Sequence, residues 1–111
     1  MIAKFRLCKP DLGIATNENH VCVEYLPKRR IIFSMTQQGN ALSIHFAANK
    51  DGLRYIKRAI NDFCEWAFIA FDWCDVILGK VNRKSVMRLI IKCGFEQIAI
   101  GKNSEVYARS R

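Results

Sequence analysis

The stretch that decides the fold runs from Asp51 to Phe95 and reads DGLRYIKRAINDFCEWAFIAFDWCDVILGKVNRKSVMRLIIKCGF. Near its start, apolar residues recur at steps of three and four, at Leu53, Ile56, Ile60, Phe63 and Ala67. This spacing places them on one face of a helix, because an α-helix completes a turn every 3.6 residues. Asn49 or Asp51 is the expected N-cap. The stretch therefore begins with an amphipathic helix.

The second part of the stretch predicts a buried strand followed by another helix. Residues Cys74 to Val81 (CDVILGKV) form a largely apolar run, which is typical of a strand covered on both faces. Over Arg83 to Cys93 the helical spacing returns, at Val86, Leu89, Ile90 and Cys93. Gly94 follows at the position of a C-terminal helix cap. The unit is helix–strand–helix.

On either side of this unit the apolar residues follow the short periods typical of strands. Upstream, four strands are predicted at Ile2–Leu7, Val21–Leu26, Ile31–Thr36 and Ala41–Ala48, with a hairpin connection at Gln37–Asn40. Downstream, Ile98–Ile100 and Glu105–Ala108 predict a closing hairpin. The element order is ββββ-α-β-α-ββ. We expect one domain over residues 1–111, since a chain of this length holds a single core.

The composition limits the kinds of ligand and site that the chain is expected to have. Lys and Arg number 18 against 10 Asp and Glu, for a net charge of +8, which favours anionic ligands without choosing among them. The five cysteines form no CxxC pair and predict free thiols in a reducing compartment. His20 and Cys22 are the only close His/Cys pair, so no metal site is predicted. No run approaches the roughly 20 apolar residues of a membrane span, so no membrane partner is expected.

The element order resembles that of the GNAT N-acetyltransferases without their two early helices. The run VNRKSVMRLIIKCGF, from Val81 to Phe95, is similar to the family's strand-end Asn, the following helix and a Gly-Phe pair. Asn82 and Ser85 keep the family's Asn-x-x-Ser/Ala spacing, and residues 65–67 (EWA) look like phage-encoded members. The resemblance implies an α/β (α+β) fold with a mixed, mostly antiparallel sheet, two main helices and the early helices trimmed.

The resemblance also implies where a cofactor binds. Acetyl-CoA or another acyl-CoA would lie where the fourth and fifth strands diverge, its pantetheine arm on the strand backbone at Phe46 and Ala47. Its pyrophosphate would rest at the start of the first helix, where free N–H groups and the helix dipole attract anions. The cofactor-binding residues expected beyond the strand are Asn49, Lys50, Asp51, Gly52, Leu53, Arg54, Asn82 and Ser85.

Two residues are candidates for the base that deprotonates an amine acceptor. His45 lies on the fourth strand beside the expected thioester, and imidazole chemistry suits proton transfer near neutral pH. Glu24 on the second strand is the rival. Packing or surface roles remain open for both.

Departures from the family pattern keep other functions open. Only Gly52 matches the family's phosphate loop well, and Leu89 and Ile90 stand where many members carry a proton-donating Tyr. The first hypothesis is an N-acetyltransferase acting on an amine of a small molecule or protein. The alternative is a catalytically inactive phage structural, assembly or host-interaction protein, and the third is a basic nucleic-acid-binding module. We expect a cytoplasmic protein, virion-associated if phage-encoded, that pairs as a homodimer or with a phage or host protein.

Overall fold

The computed structural model describes residues 4–14, 19–27 and 31–111. It contains seven strands, one short 3₁₀ helix and two α-helices within those residues. The strands are β1 (Phe5–Leu7), β2 (Val21–Tyr25), β3 (Ile31–Gln38), β4 (Ala41–Ala48), β5 (Val76–Val81), β6 (Glu96–Ile100) and β7 (Glu105–Ser110). The 3₁₀ helix covers Gly52–Tyr55, and the α-helices are α1 (Ile56–Ala70) and α2 (Lys84–Lys92).

All seven strands form a single mixed sheet in the order β1-β2-β3-β4-β5-β7-β6. Only the central pair, β4 and β5, runs parallel, and the other neighbours are antiparallel. A parallel pair needs a crossover between its strands, and α1 supplies it. The element order and the mixed, mostly antiparallel α+β architecture predicted from the sequence are confirmed.

One face of the sheet, here called the helix face, carries the main core. Residues that pair directly across neighbouring strands point to the same face of the sheet. Phe33 and its β4 partner Phe46 therefore both point toward α1. Phe33 and Phe63 of α1 stack with ring centroids 4.4 Å apart. The buried residues of α1 are Ile56, Ala59, Ile60, Phe63, Cys64 and Ala67, the stripe that the spacing predicts with Leu53 left out. Leu53 is exposed because it lies in the 3₁₀ turn.

Several predicted boundaries need correction. The first helix was expected to begin at Asp51, but the α-helix starts at Ile56 because Tyr55, with φ −114° and ψ 7°, interrupts the helical geometry. Strand β5 begins at Val76, two residues later than predicted, because Cys74 N–H closes a turn onto the Phe71 carbonyl at 3.0 Å. Strand β6 begins two residues earlier than predicted. It is an exposed edge strand, so its first residues show no apolar alternation.

The turn residues explain two further boundaries. Strand β3 runs two residues past its predicted end to a two-residue hairpin, where Gly39 has φ +62° as the first turn position of a type II′ turn requires. Gly94, with φ +88°, ends α2 as predicted. Phe95 N–H then bonds the Ile90 carbonyl at 3.0 Å, which completes a Schellman cap.

Thirteen residues, 8–20, connect β1 to β2, and their described part contains no helix. Over residues 8–14 and 19–20 the connection therefore lacks the family's early helices, as predicted. A turn from Asp11 to Ile14 occupies part of this connection, with Ile14 N–H bonded to the Asp11 carbonyl at 3.2 Å.

Two general features of the chain bear on its chemistry. All five cysteines are free thiols, and all but Cys8 are buried. Among the described residues, no helix combines the length and apolar character needed to cross a bilayer.

Candidate functional site

Strands β4 and β5 separate partway along their length. Their parallel ladder pairs Ala41 with Val76 and ends where Ile44 pairs with Gly79, although both strands continue. Beyond that point, β4 remains bonded to β3 and β5 to β7. The edges that face each other therefore carry backbone N–H and C=O groups without a ladder partner. This gap between β4 and β5 is the centre of the candidate site.

A cavity of about 600 Å³ lies at the gap and is lined by strand residues of both faces of the sheet. Residues of the helix face line one side, among them Phe46, Gly79 and Ile90. His45 and Lys80 line the same cavity, although strand alternation turns them to the opposite face. The cavity is thus in contact with residues of both faces.

The remaining wall of the cavity comes from helices and loops. Helix α1 contributes Ile60, and α2 with its approach contributes Asn82, Arg83, Val86 and Ile90. The connection between β1 and β2 contributes Leu12, Gly13 and Ile14.

The two candidate bases lie in different places. His45 is half-buried and lines the cavity. Glu24 does not line it and lies two strands away, because β3 separates β2 from β4. Its carboxylate is bound by the Arg6 guanidinium in an ion pair. The structure brings His45, and not Glu24, to the gap.

The corner between β4 and α1 has an internal hydrogen-bond arrangement. Gly52 N–H donates to the Asn49 side-chain oxygen at 2.8 Å, and Leu53 N–H donates to the Asn49 carbonyl at 3.0 Å. Of the two expected caps, Asn49 makes the bond and Asp51 makes none. Gly52 is buried and its φ is not positive. Two amides expected to face a pyrophosphate are therefore satisfied by Asn49.

The cations of this corner remain available to an anion. Lys50 and Arg54 are exposed, and neither makes an ion pair with any described residue. Asp51 is exposed beside them. The charge of the corner thus favours a phosphate even though two of its amides are occupied.

The structure divides the other predicted cofactor residues into two groups. Phe46, Ala47 and Asn82 line the cavity, whereas Ser85 lies exposed in the first turn of α2 and does not. Asn82 is not the helix cap, because that position belongs to Arg83. The positions where many GNAT members carry Tyr hold half-buried Leu89 and buried Ile90.

Among the lining residues that the sequence did not single out as site residues are Leu12, Gly13, Ile14, Lys80, Arg83 and Ser104. The place of Lys80 across the gap from His45 depends on the β4–β5 register, which only the folded chain shows. The loop residues carried no usable signal, because only the folded chain brings the β1–β2 connection to β4.

Comparison with solved structures gives the fold its name. A Bacillus subtilis acetyltransferase in complex with CoA superposes with a TM-score of 0.64 and 16% identity, covering 85% of this chain and 78% of that one. The Campylobacter jejuni N-acetyltransferase PseH gives 0.69 and 11%, covering 86% and 70%. The chain has the GNAT acetyltransferase fold.

A third GNAT structure, a chimera of Vibrio cholerae spermidine N-acetyltransferase SpeG with hSSAT, gives a TM-score of 0.67 and 11% identity, covering 85% of this chain and 68% of that one. No protein-family model and no curated protein matches the sequence. The likeness is one of fold. What the site does must be argued from its own residues.

Proposed function

We propose that the chain is an acyl-CoA-dependent N-acetyltransferase that binds acetyl-CoA, or another acyl-CoA, in the gap between β4 and β5. The observation that carries the proposal is the end of the β4–β5 ladder at Ile44 and Gly79, with the cavity of about 600 Å³ beyond it. Unpaired strand groups suit an amide-rich arm such as pantetheine, because each amide both donates and accepts. The strand edges of the gap therefore offer hydrogen-bond partners to a pantetheine arm.

The phosphate end of the site fits in part. Lys50 and Arg54 would pair with the pyrophosphate through charge-assisted hydrogen bonds. The amides of Gly52 and Leu53 already have acceptors, so they do not form a free anion cradle. We infer that the arm contributes more of the binding free energy than the phosphates do.

His45 is the proposed base. When bound, acetyl-CoA supplies a thioester, so that the amine nitrogen gains the acetyl group, the C–S bond breaks and the amine's proton ends on the CoA thiol. His45 lies at the gap on the face away from the helices, where an amine can approach and give up its proton. Free N–H groups on the strand edges would stabilise charge on the carbonyl oxygen.

Thermal melting with and without acetyl-CoA tests the binding. At 100 times its dissociation constant the ligand stabilises the fold by about 2.7 kcal/mol, a shift of roughly 10 °C in melting temperature for a domain of this size. Desulfo-CoA, which keeps most of the arm, is expected to give a similar shift, and adenosine 3′,5′-bisphosphate a much smaller one. An unchanged melting temperature at millimolar acetyl-CoA would contradict the proposal.

A second candidate is a GNAT-fold protein that binds acyl-CoA without transferring the acyl group. The Asn49–Gly52 hydrogen bond and the apolar residues Leu89 and Ile90 favour it, since they remove part of the phosphate cradle and a proton donor. Release of free CoA, followed by a thiol reagent over a panel of amines, separates the two candidates. Binding without any amine-dependent CoA release would select the second.

A further inference from the structure

Five of the residues that line the cavity are here called the acceptor mouth: Leu12, Gly13, Ile14, His45 and Lys80. The register places His45 and Lys80 one residue beyond the last ladder pair, on opposite sides of the gap and on the same face. The three loop residues belong to the β1–β2 connection and line the same cavity.

The loop at the mouth is held in an unfavourable conformation. Leu12 has φ +59° and Gly13 has φ +69°. A leucine in the left-handed region is strained, and such strain persists only where surrounding contacts fix the backbone. Asp11 provides the contacts, since its carboxylate accepts Leu12 N–H at 2.7 Å and its carbonyl accepts Ile14 N–H. The turn holds two apolar side chains, Leu12 and Ile14, at the mouth.

The charge of the cavity is one-sided. Lys80 and Arg83 line it, whereas none of the described residues that line it is Asp or Glu. Lys80 is exposed and makes no ion pair within the described ranges. A polyamine acceptor requires carboxylates to hold its cationic chain, and this lining repels such a chain. An anionic group on the acceptor would be attracted to Lys80.

We propose that the acceptor is a small primary amine that carries both an anionic group and an apolar chain, the chemistry of an apolar α-amino acid. The anionic group pairs with Lys80, the apolar chain packs on Leu12 and Ile14, and the amine lies at His45. This assignment rests on the proposed acetyltransferase function. It excludes polyamines as the preferred acceptors.

A matched set of amines tests the assignment. Leucine, leucinamide, isoamylamine and spermidine are supplied with saturating acetyl-CoA, and CoA release is measured. Leucine is expected to have a kcat/KM at least tenfold above leucinamide and isoamylamine, which lack the carboxylate, and spermidine the lowest. Spermidine or isoamylamine exceeding leucine would overturn the assignment.

Variants at Lys80 connect this preference to the mouth. Lys80→Gln should reduce kcat/KM for leucine about tenfold or more while leaving leucinamide within twofold, and Lys80→Arg should retain most of the leucine activity. An equal loss on both substrates would mean that Lys80 does not recognise the carboxylate. Leu12→Gly, which removes the apolar chain and relieves the left-handed strain, should weaken leucine and leucinamide alike without lowering the melting temperature.

Binding to the chain alone gives a readout independent of turnover. Titration of ¹⁵N-labelled protein with N-acetylleucine should shift the amides of Leu12 to Ile14, His45 and Lys80, and titration with N-acetylleucinamide should shift them far less. Equal shifts with both ligands, or shifts elsewhere only, would refute the assignment. If acetyl-CoA binds but leucine neither binds nor reacts, only this assignment fails. If acetyl-CoA itself does not bind, the proposed function fails and the assignment falls with it.

Discussion

The side-chain oxygen of Asn49 accepts the backbone N–H of Gly52 at 2.8 Å, at the corner where β4 meets the 3₁₀ helix. The same oxygen therefore fills the place that a phosphate oxygen would take at that amide. Asn49 was predicted both as a helix cap and as a cofactor ligand. The structure shows the capping bond, and that bond occupies an amide that would otherwise be free to bind a pyrophosphate.

Replacing Asn49 separates these two roles. Asn49→Ala should lower the free energy of unfolding by about 1 kcal/mol, the usual cost of losing an N-cap, as measured by urea denaturation. Acetyl-CoA affinity, measured by calorimetry, should be equal or higher because Gly52 N–H becomes available. Asp51→Ala is the control, since Asp51 makes no capping bond, and should leave the unfolding free energy within about 0.5 kcal/mol. An affinity loss of more than threefold in Asn49→Ala would show that Asn49 binds the cofactor itself.

The gap between β4 and β5 can be blocked at Gly79. A Cβ atom added there would lie 3.9 Å from Ile90 Cδ1, an ordinary contact, so Gly79→Ala should fold and bind acetyl-CoA like the parent chain. Gly79→Phe places a ring in the cavity and should weaken acetyl-CoA binding at least tenfold. Circular dichroism and calorimetry measure the fold and the affinity. A folded Phe variant with undiminished affinity would place the ligand elsewhere.

Measuring kcat for variants distinguishes the two candidate bases, His45 and Glu24. His45→Gln should lower kcat about 100-fold or more, the usual contribution of a general base, while acetyl-CoA affinity changes little. Glu24→Gln should leave kcat within twofold, because Glu24 is bound to Arg6 and does not line the cavity. Its unfolding free energy should fall by less than about 1 kcal/mol, the usual value of an exposed ion pair. A larger kcat loss in Glu24→Gln than in His45→Gln would reverse the assignment.

How much of the site could be foreseen depends on whether its residues are local in sequence. His45, Phe46 and Ala47 of β4 line the same cavity as Asn82, which follows β5. That proximity depends on the fold, because the two strands meet only through the β4–β5 ladder. The Asn49 cap was predictable because a cap involves residues three positions apart. The contribution of Leu12 was not, because its left-handed backbone and its approach to β4 are properties of the folded chain.

The fold itself was predictable for a related reason. Helices α1 and α2 carry strong apolar periodicity. Strand β4 was predicted with its observed bounds because a turn containing Gly39 precedes it and Asn49 follows it directly. Strand β6 was predicted short because it is an edge strand with all five residues exposed. Its first residues, Glu96 and Gln97, bond to β7 without burying a side chain, so hydropathy carries no signal there.

The buried thiol of Cys64 gives the fold a dependence on alkaline pH. Burial between α1 and the sheet raises the pKa of Cys64 from the ordinary 9.0 to about 12, against the opposing charge of Arg109. The native state therefore keeps a proton that the unfolded chain loses above about pH 9, so stability is fully present below that pH and falls as pH rises. For this group alone the loss between pH 7 and pH 10 is about 1 kcal/mol, and burial raises the pKa of the other buried thiols in the same direction.

Urea denaturation at pH 7 and pH 10 measures this dependence. Tyr25 also begins to contribute at pH 10, because the unfolded chain ionises it near the ordinary 10.0 whereas burial and the hydrogen bond to Asp62 raise its native pKa. This contribution is the same in the parent chain and in the cysteine variants, so it cancels when they are compared. Cys64→Ala leaves a small void and lowers stability at both pH values, so the informative quantity is the difference between them. That difference should shrink by about 1 kcal/mol in Cys64→Ala. Cys8→Ala should change it less, because Cys8 is only half-buried. If the difference in unfolding free energy between pH 7 and pH 10 were undiminished in Cys64→Ala, ionisation of the Cys64 thiol would not contribute to it.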